Sequence, residues 1–140
     1  MATRASIKIS DSDGNFIANI YHHYDGYPEG LGQKLIDICD SGTMVNGLSA
    51  GSGTQFNGFN DLACSIVFEL KEHSGNGRVY LNNESDYGQC GEDYLYEIVE
   101  NPNHNRSAGI VLNGKPLVLV ENMNGETELV SEILERVSNV

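Results

Sequence analysis

The chain has 140 residues, of which 39% are hydrophobic and 20% are charged, a composition typical of one folded domain and unlike that of a disordered or membrane-spanning chain. Eight Lys and Arg residues against twenty Asp and Glu residues give a formal net charge of −12. This charge repels a phosphate backbone and argues against direct binding of nucleic acid. Three widely spaced cysteines and a first segment without an export-signal pattern favour a reducing compartment. We therefore expect a single cytoplasmic domain over residues 1–140.

The first sixty residues predict a β-hairpin, a helix and a long loop. Apolar residues alternate with polar ones at 5–10 and 16–21, and a polar turn at 11–15 separates these two strands. Pro28 then precedes apolar residues at helical spacing, as at the start of an amphipathic helix. Residues 41–60 are rich in Gly and Ser, which predicts a flexible loop.

The remainder of the chain predicts further helices and strands. Helices are expected at 62–70 and 129–137, and strands at 78–82, 94–99, 110–112 and 117–120. Asn60 or Asp61 is placed to cap the first of these helices, and Asn113 and Gly114 predict a hairpin between the last two strands. The predicted fold is a single α+β domain, with a mainly antiparallel sheet of about five to six strands and about three helices.

The most unusual segment covers residues 21–30, where the first hairpin ends and the first helix begins. It concentrates aromatic rings, histidines and carboxylates, which can stack on a ligand and hydrogen-bond to it. Three of the few basic residues, Arg4, Arg78 and Arg106, are candidate anchors for a phosphate or carboxylate group. The predicted ligand-binding residues are Arg4, Tyr21, His22, His23, Tyr24, Asp25, Tyr27 and Arg78. The alternative is that His22 belongs to the core, Asp25 shapes a turn, and each arginine forms an ordinary ion pair.

The sequence contains no recognisable catalytic or metal-binding motif. Adjacent strand residues such as His22 and His23 point to opposite faces and do not easily share one metal ion. The glycines between 47 and 58 match neither a P-loop nor a dinucleotide-binding fingerprint. We therefore predict no catalytic residue, no metal and no cofactor. One alternative stays open, a small hydrolase that uses His23 and Asp25 as acid and base.

Two segments resemble a group of small phage accessory proteins. Residues 3–7 are similar to the Ala-Thr-Arg-Ser-x-Ile strand that opens those proteins, and residues 23–30 are similar to their His-Trp-Asp-Gly-Tyr-Pro-Glu-Gly motif. Tyr24 stands where the group usually has Trp, which keeps an aromatic ring and adds a hydroxyl. Residues 91–98 resemble the Gly-x-x-Tyr-x-Tyr-x-Ile strand of the same group. The resemblance implies a phage origin and no assigned reaction.

The resemblance also suggests a role, because small phage accessory proteins often blunt host defence. By this analogy we expect a non-catalytic homo-oligomeric protein in the host cytoplasm that sequesters a nucleotide immune signal, with residues 41–60 as a lid. The alternative is an acidic inhibitor of a nucleic-acid-targeting defence protein, of anti-CRISPR or anti-restriction type. Such an inhibitor would use the carboxylates between Glu84 and Glu100. Neither function requires a membrane or direct contact with nucleic acid.

Overall fold

The computed structural model describes residues 2–45, 53–74, 78–101, 115–122 and 124–139. The strands are β1 (Ala5–Ser10), β2 (Phe16–His22), β3 (Thr43–Val45), β4 (Gln55–Asn57), β5 (Val79–Asn82), β6 (Tyr94–Val99), β7 (Leu117–Glu121) and β8 (Thr127–Leu129). The helices are α1 (Gln33–Asp40), which follows a π-helical turn at Pro28–Gly32, α2 (Gly58–Ser74) and α3 (Val130–Ser138). These described elements confirm the predicted α+β domain.

Six of the described strands form one sheet in the order β5-β2-β1-β6-β7-β8. Four of its five pairings are antiparallel, and the central β1–β6 pair is parallel. The β1–β2 hairpin places Ile7 opposite Ile20. The Asp11 carboxylate closes its turn by accepting hydrogen bonds from the amides of Asp13 and Asn15, each at 2.9 Å. The polar turn therefore ends one strand and starts the next.

The helices cover one face of this sheet and form the hydrophobic core with it. Ile7, Ile9 and Ile20 have no exposed surface, and they belong to one buried cluster with Leu35 of α1 and Leu62 of α2. Burying an aliphatic side chain of this size stabilises the fold by about 1.5–3 kcal/mol. The alternating apolar residues of the first hairpin are thus fixed on the helix-covered face.

The opposite face of the sheet is polar and lies under residues 83–93, which we call the acidic loop. Ser6 and Asn19 are fully buried on this face. The Ser6 hydroxyl donates to the Glu92 carboxylate at 2.7 Å, and Nδ2 of the Asn19 side chain donates to the Asn83 carbonyl at 2.9 Å. These hydrogen bonds compensate for the loss of water around buried polar groups. The acidic loop is therefore attached to the sheet by polar contacts.

The Gly- and Ser-rich segment at 41–60 differs from the predicted loop in its described part. It contains β3 and β4, which form a separate parallel pair, because the side chains of Met44 and Phe56 are buried in the core. Helix α2 begins within the same segment, where the Asp61 carboxylate accepts a hydrogen bond from the Asn57 amide at 2.8 Å. Residues 46–52 of the predicted loop lie outside the described residues.

The last part of the sheet holds a hairpin that was not predicted from the sequence. Strand β8 pairs with β7 through a turn in which the Asn122 side chain accepts hydrogen bonds from the amides of Asn124 and Glu126, at 2.9 and 3.1 Å. Helix α3 then begins at Val130. The predicted strand at 110–112 and its turn lie outside the described residues.

Candidate functional site

A groove of about 340 Å³ lies on the polar face of the sheet, beside edge strand β5. We call it the arginine groove. Its lining comes from the chain before β1, the end of β2, the start of β5 and the acidic loop, and consists of Arg4, Tyr21, His23, Arg78, Tyr80 and Cys90. Four of these six residues are among those predicted from the sequence.

Strand alternation explains why these side chains meet. Ile20 points into the core, so its neighbour Tyr21 points to the opposite face, and His23 follows two residues later on the same side. Antiparallel pairing sets Tyr21 opposite Tyr80 of β5. Arg78 precedes Tyr80 by two residues and therefore shares its face. Residues distant in sequence are thus brought to one side of the sheet edge.

The aromatic residues of the groove form a connected cluster. The rings of Tyr21 and Tyr80 are stacked, with centroids 4.8 Å apart and planes 27° from parallel. The Tyr21 hydroxyl is hydrogen-bonded to Nδ1 of His23 at 2.8 Å, and the His23 ring meets Tyr24 edge-on at 4.6 Å. Tyr80 is 48% exposed whereas Tyr21 is 4% exposed. The buried ring therefore supports an outer ring that is open to a stacking partner.

The two groove arginines form no ion pair with a carboxylate of the described residues. In the described part of the chain, neither Arg4 nor Arg78 has a carboxylate oxygen within 4.0 Å of its guanidinium. Nη1 of Arg4 donates to the Cys90 carbonyl at 3.4 Å, and the Arg78 guanidinium lies 5.3 Å from the centre of the Tyr24 ring. A guanidinium carries five N–H donors, so most donors of each arginine have no partner among the described residues and can meet an anion.

The remaining predicted residues lie beside the groove or away from it, and the candidate anchor Arg106 lies outside the described residues. His22 is 2% exposed on the helix-covered face, and burial, together with the charge of Lys34, lowers its pKa to about 4. His22 therefore belongs to the core, as in the alternative interpretation of the sequence, and does not line the groove. Asp25 and Tyr27 do not line the groove. The Asp25 carbonyl accepts the Leu31 amide at 2.9 Å, and the Tyr27 hydroxyl lies 3.5 Å from the Asp25 carboxylate.

Gly26 fixes the junction between the groove and the first helix. Its amide donates to the Thr3 carbonyl at 2.9 Å, and its carbonyl accepts the buried Tyr96 hydroxyl at 2.7 Å. A Cβ at this position would lie 2.8 Å from the Thr3 oxygen, closer than two such atoms can approach. Glycine is therefore required for residues 23–27 to pass so near the chain before β1.

Two groove residues, Tyr80 and Cys90, were not predicted from the sequence. Alternation from Arg78 along β5 is the signal that identifies Tyr80, whereas no local pattern identifies Cys90. The Cys90 thiol donates to the Asp86 carbonyl at 3.5 Å. Burial, with help from the nearby Glu92 and Asp86 charges, raises its pKa. Cys90 therefore lines the groove as a neutral thiol, which is a poor nucleophile.

Comparison with protein-family models, with curated proteins and with solved structures finds no match to this chain. Among the described residues, no three His, Cys, Asp or Glu side chains are grouped as a metal ion would require. None of the helices in the described ranges has the length and apolar character needed to cross a bilayer. The geometry of the groove is therefore the basis for assigning a function.

Proposed function

We propose that the protein is a non-catalytic binder of a small anion that carries an aromatic ring, of the nucleotide class. One observation carries this proposal. Two arginines without a carboxylate partner among the described residues meet the exposed face of a stacked tyrosine pair in one groove. In a chain with a net charge of −12, cations have many possible partners. Two that remain available in the same place favour an anionic ligand.

Each part of the groove has a chemical role in this proposal. Arg4 and Arg78 bind phosphate oxygens, and guanidinium donors suit such oxygens because they form paired hydrogen bonds. The outer face of Tyr80 stacks on the base. His23 hydrogen-bonds to the ligand through Nε2, the ring nitrogen that does not contact the Tyr21 hydroxyl. The volume of about 340 Å³ is within the range of small-ligand sites, roughly 300–1,000 Å³, which favours one nucleotide over a larger ligand.

The contacts of the candidate acid–base pair support binding without chemistry. His23 is held by Tyr21 and Tyr24, whereas the Asp25 carboxylate is approached by the Tyr27 hydroxyl. His23 lines the arginine groove and Asp25 does not. Because a general acid and base need hydrogen-bond geometry to a common reacting group, the hydrolase alternative has less support than the binder.

The biological role rests on the resemblance to phage accessory proteins. On that basis the ligand is a nucleotide immune signal, which the protein sequesters in the host cytoplasm as a homo-oligomer. The acidic-inhibitor alternative needs carboxylates that are free to meet a basic partner. Glu92 accepts hydrogen bonds from Ser6 and two backbone amides, and Glu84 pairs with Lys8 at 3.7 Å. Two of the carboxylates that an inhibitor would use therefore have partners within the protein, which reduces the support for that alternative.

The proposal is tested with cyclic, linear and ADP-ribose-type nucleotides. Each is added to the purified protein, the melting temperature is measured, and the recovered ligand is analysed by chromatography. A ligand at a hundred times its dissociation constant stabilises the protein by about 2.7 kcal/mol, which raises the melting temperature by several degrees. Intact ligand indicates sequestration, and altered ligand indicates an enzyme. If no nucleotide changes the melting temperature, the proposed ligand class is wrong.

A charge reversal locates the binding. We expect Arg78→Glu to weaken the affinity by about ten- to hundredfold, because it removes a charge-assisted hydrogen bond. Arg136→Glu is the control, since Arg136 lies on helix α3, pairs with Glu128 of strand β8 and does not line the arginine groove. Equal loss in both variants would indicate a general effect of charge and would contradict a specific site.

A further inference from the structure

Two adjacent carboxylates of the acidic loop contact the segment that carries Arg4. In a protein that binds an anion, carboxylates beside the site oppose binding by their charge. Glu92 and Asp93 nevertheless lie next to the arginine groove: the Asp93 carboxylate accepts the Arg4 amide, and the Glu92 carboxylate accepts the amide of the groove residue Cys90. Their hydrogen bonds indicate a different role.

Asp93 fixes the backbone of Arg4. Its carboxylate accepts the Arg4 amide at 3.0 Å, and its own amide donates to the Arg4 carbonyl at 2.8 Å. The amide of Tyr94 donates to the same carbonyl at 3.2 Å. The donor and the acceptor of the Arg4 backbone are therefore both bonded to the start of β6, although the two segments are 89 residues apart in the chain.

Glu92 fixes the part of the acidic loop that meets the guanidinium. Its carboxylate accepts the amides of Cys90 and Gly88, at 2.7 and 2.8 Å, and the hydroxyl of Ser6 at 2.7 Å. Burial alone would raise the pKa of Glu92, but these hydrogen bonds outweigh it and hold the pKa below its usual value. The carboxylate therefore stays ionised at neutral pH and keeps the loop folded against β1.

The loop meets Arg4 through the carbonyl of Cys90. This carbonyl accepts Nη1 of Arg4 at 3.4 Å, and a Cβ on the neighbouring Gly91 would lie 3.3 Å from the same Nη1. Gly91 also has a φ of +73°, which favours glycine. The backbone that Glu92 organises thus passes directly beside the guanidinium.

We propose that Glu92 and Asp93 are positioning residues, which hold the Arg4 guanidinium in place at the groove before an anion binds. This inference rests on the proposed function and assigns to the two acids a role within that site. A long arginine side chain loses conformational freedom when it binds a ligand, and a side chain that is already ordered loses less. The two carboxylates therefore increase the affinity for an anion by ordering Arg4. Their own negative charges are offset by the hydrogen bonds that they accept within the protein.

The binding test uses adenosine 5′-monophosphate (AMP) as the probe and calorimetry as the readout. We expect Glu92→Gln to weaken AMP binding by about tenfold, which is the effect of losing one hydrogen bond to a charged group. The hydrogen bond affected is the one between Arg4 and the phosphate. Glu84→Gln removes a carboxylate from the same loop and should change the affinity less than twofold. Asp93→Asn is the second variant, so that the inference is still tested if Glu92→Gln does not fold.

Double variants separate positioning from a general loss of structure. If Glu92 acts through Arg4, adding Glu92→Gln to Arg4→Ala should cause little further loss of affinity, whereas adding it to Arg78→Ala should cause the full tenfold loss. Equal losses in the two backgrounds would overturn the inference. AMP affinity that is unchanged in Glu92→Gln and Asp93→Asn would also overturn it.

A measurement without ligand distinguishes this inference from the proposed function. The heteronuclear NOE of the Arg4 side-chain Nε–H reports motion on the picosecond-to-nanosecond timescale. We expect a high NOE, as for an ordered side chain, in the wild type and in Glu84→Gln. In Glu92→Gln we expect a low NOE, as for a mobile side chain. If the wild type shows this pattern but binds neither AMP nor any nucleotide of the panel, the proposed ligand class fails and the ordering of Arg4 by Glu92 stands. If Arg4 is equally mobile in all three proteins, the positioning role fails.

Discussion

His22 should make the protein lose stability as the pH falls from 7 to 5. Burial, with a contribution from the charge of Lys34, lowers the pKa of His22 to about 4 in the folded protein. In an unfolded chain the pKa of histidine is about 6.5. Between these two values the unfolded chain binds a proton that the folded chain does not, so acid favours unfolding. The contribution of His22 is complete above about pH 6.5 and is lost as the pH falls towards 4.

The expected change is large compared with the stability of a small domain. The difference between the two pKa values corresponds to about 3 kcal/mol over the whole pH window, of which about 2 kcal/mol is lost by pH 5. Single domains are typically stable by about 5–15 kcal/mol. The chain has four histidines, so the effect of His22 must be isolated by comparison with a variant that lacks it.

Urea unfolding at pH 7, 6 and 5 measures the effect. We expect the wild type to lose about 2 kcal/mol more than His22→Gln between pH 7 and 5. His23→Gln is the matched control, because it removes the neighbouring histidine and leaves the buried ring in place. If the wild type and His22→Gln lose the same free energy over this range, His22 is not buried in its neutral form and its assignment to the core is wrong.

Other variants test the packing that supports the groove. Tyr96→Phe should lower the free energy of unfolding by about 1–3 kcal/mol in urea, because it leaves the Gly26 carbonyl without its 2.7 Å donor; unchanged stability would contradict that contact. Gly26→Ala should destabilise the protein by a similar ~1–3 kcal/mol, because the new methyl group overlaps the Thr3 carbonyl; a normal melting temperature would contradict this. Leu62→Ala should lower the free energy of unfolding by about 2–5 kcal/mol, because Leu62 is fully buried. Phe68→Ala should lower it by less than about 0.5 kcal/mol, because Phe68 is 64% exposed on the same helix.

The local elements of the fold could be predicted because their patterns are local. Alternation at 5–10 and 16–21 and an Asp11 turn are sufficient for the first hairpin, and the apolar run at 94–99 matches β6 in both bounds. The β3–β4 pair was missed because each strand has three residues within a Gly-rich stretch, where composition predicts a loop. Burial of a few apolar side chains outweighs that composition.

The candidate site could be predicted only in part, for a related reason. A pattern identified the aromatic segment after β2, and scarcity of basic residues identified Arg4 and Arg78. That these residues share one groove depends on the parallel β1–β6 pair and the β2–β5 pair, which join residues far apart in the chain. No local pattern specifies such pairings. The same pairings place Cys90 in the groove, which explains why it was missed.

The central claim is that the arginine groove binds a nucleotide, and an NMR titration tests it most directly. AMP and the tightest binder from the melting-temperature panel are added to isotope-labelled protein, and the shifted amide signals are assigned. We predict that the largest changes occur at His23, Arg78 and Tyr80, and that Arg78→Glu removes them. Changes centred instead between α1 and α2, around Ile38 and Phe68, or no change with any nucleotide, would contradict the claim.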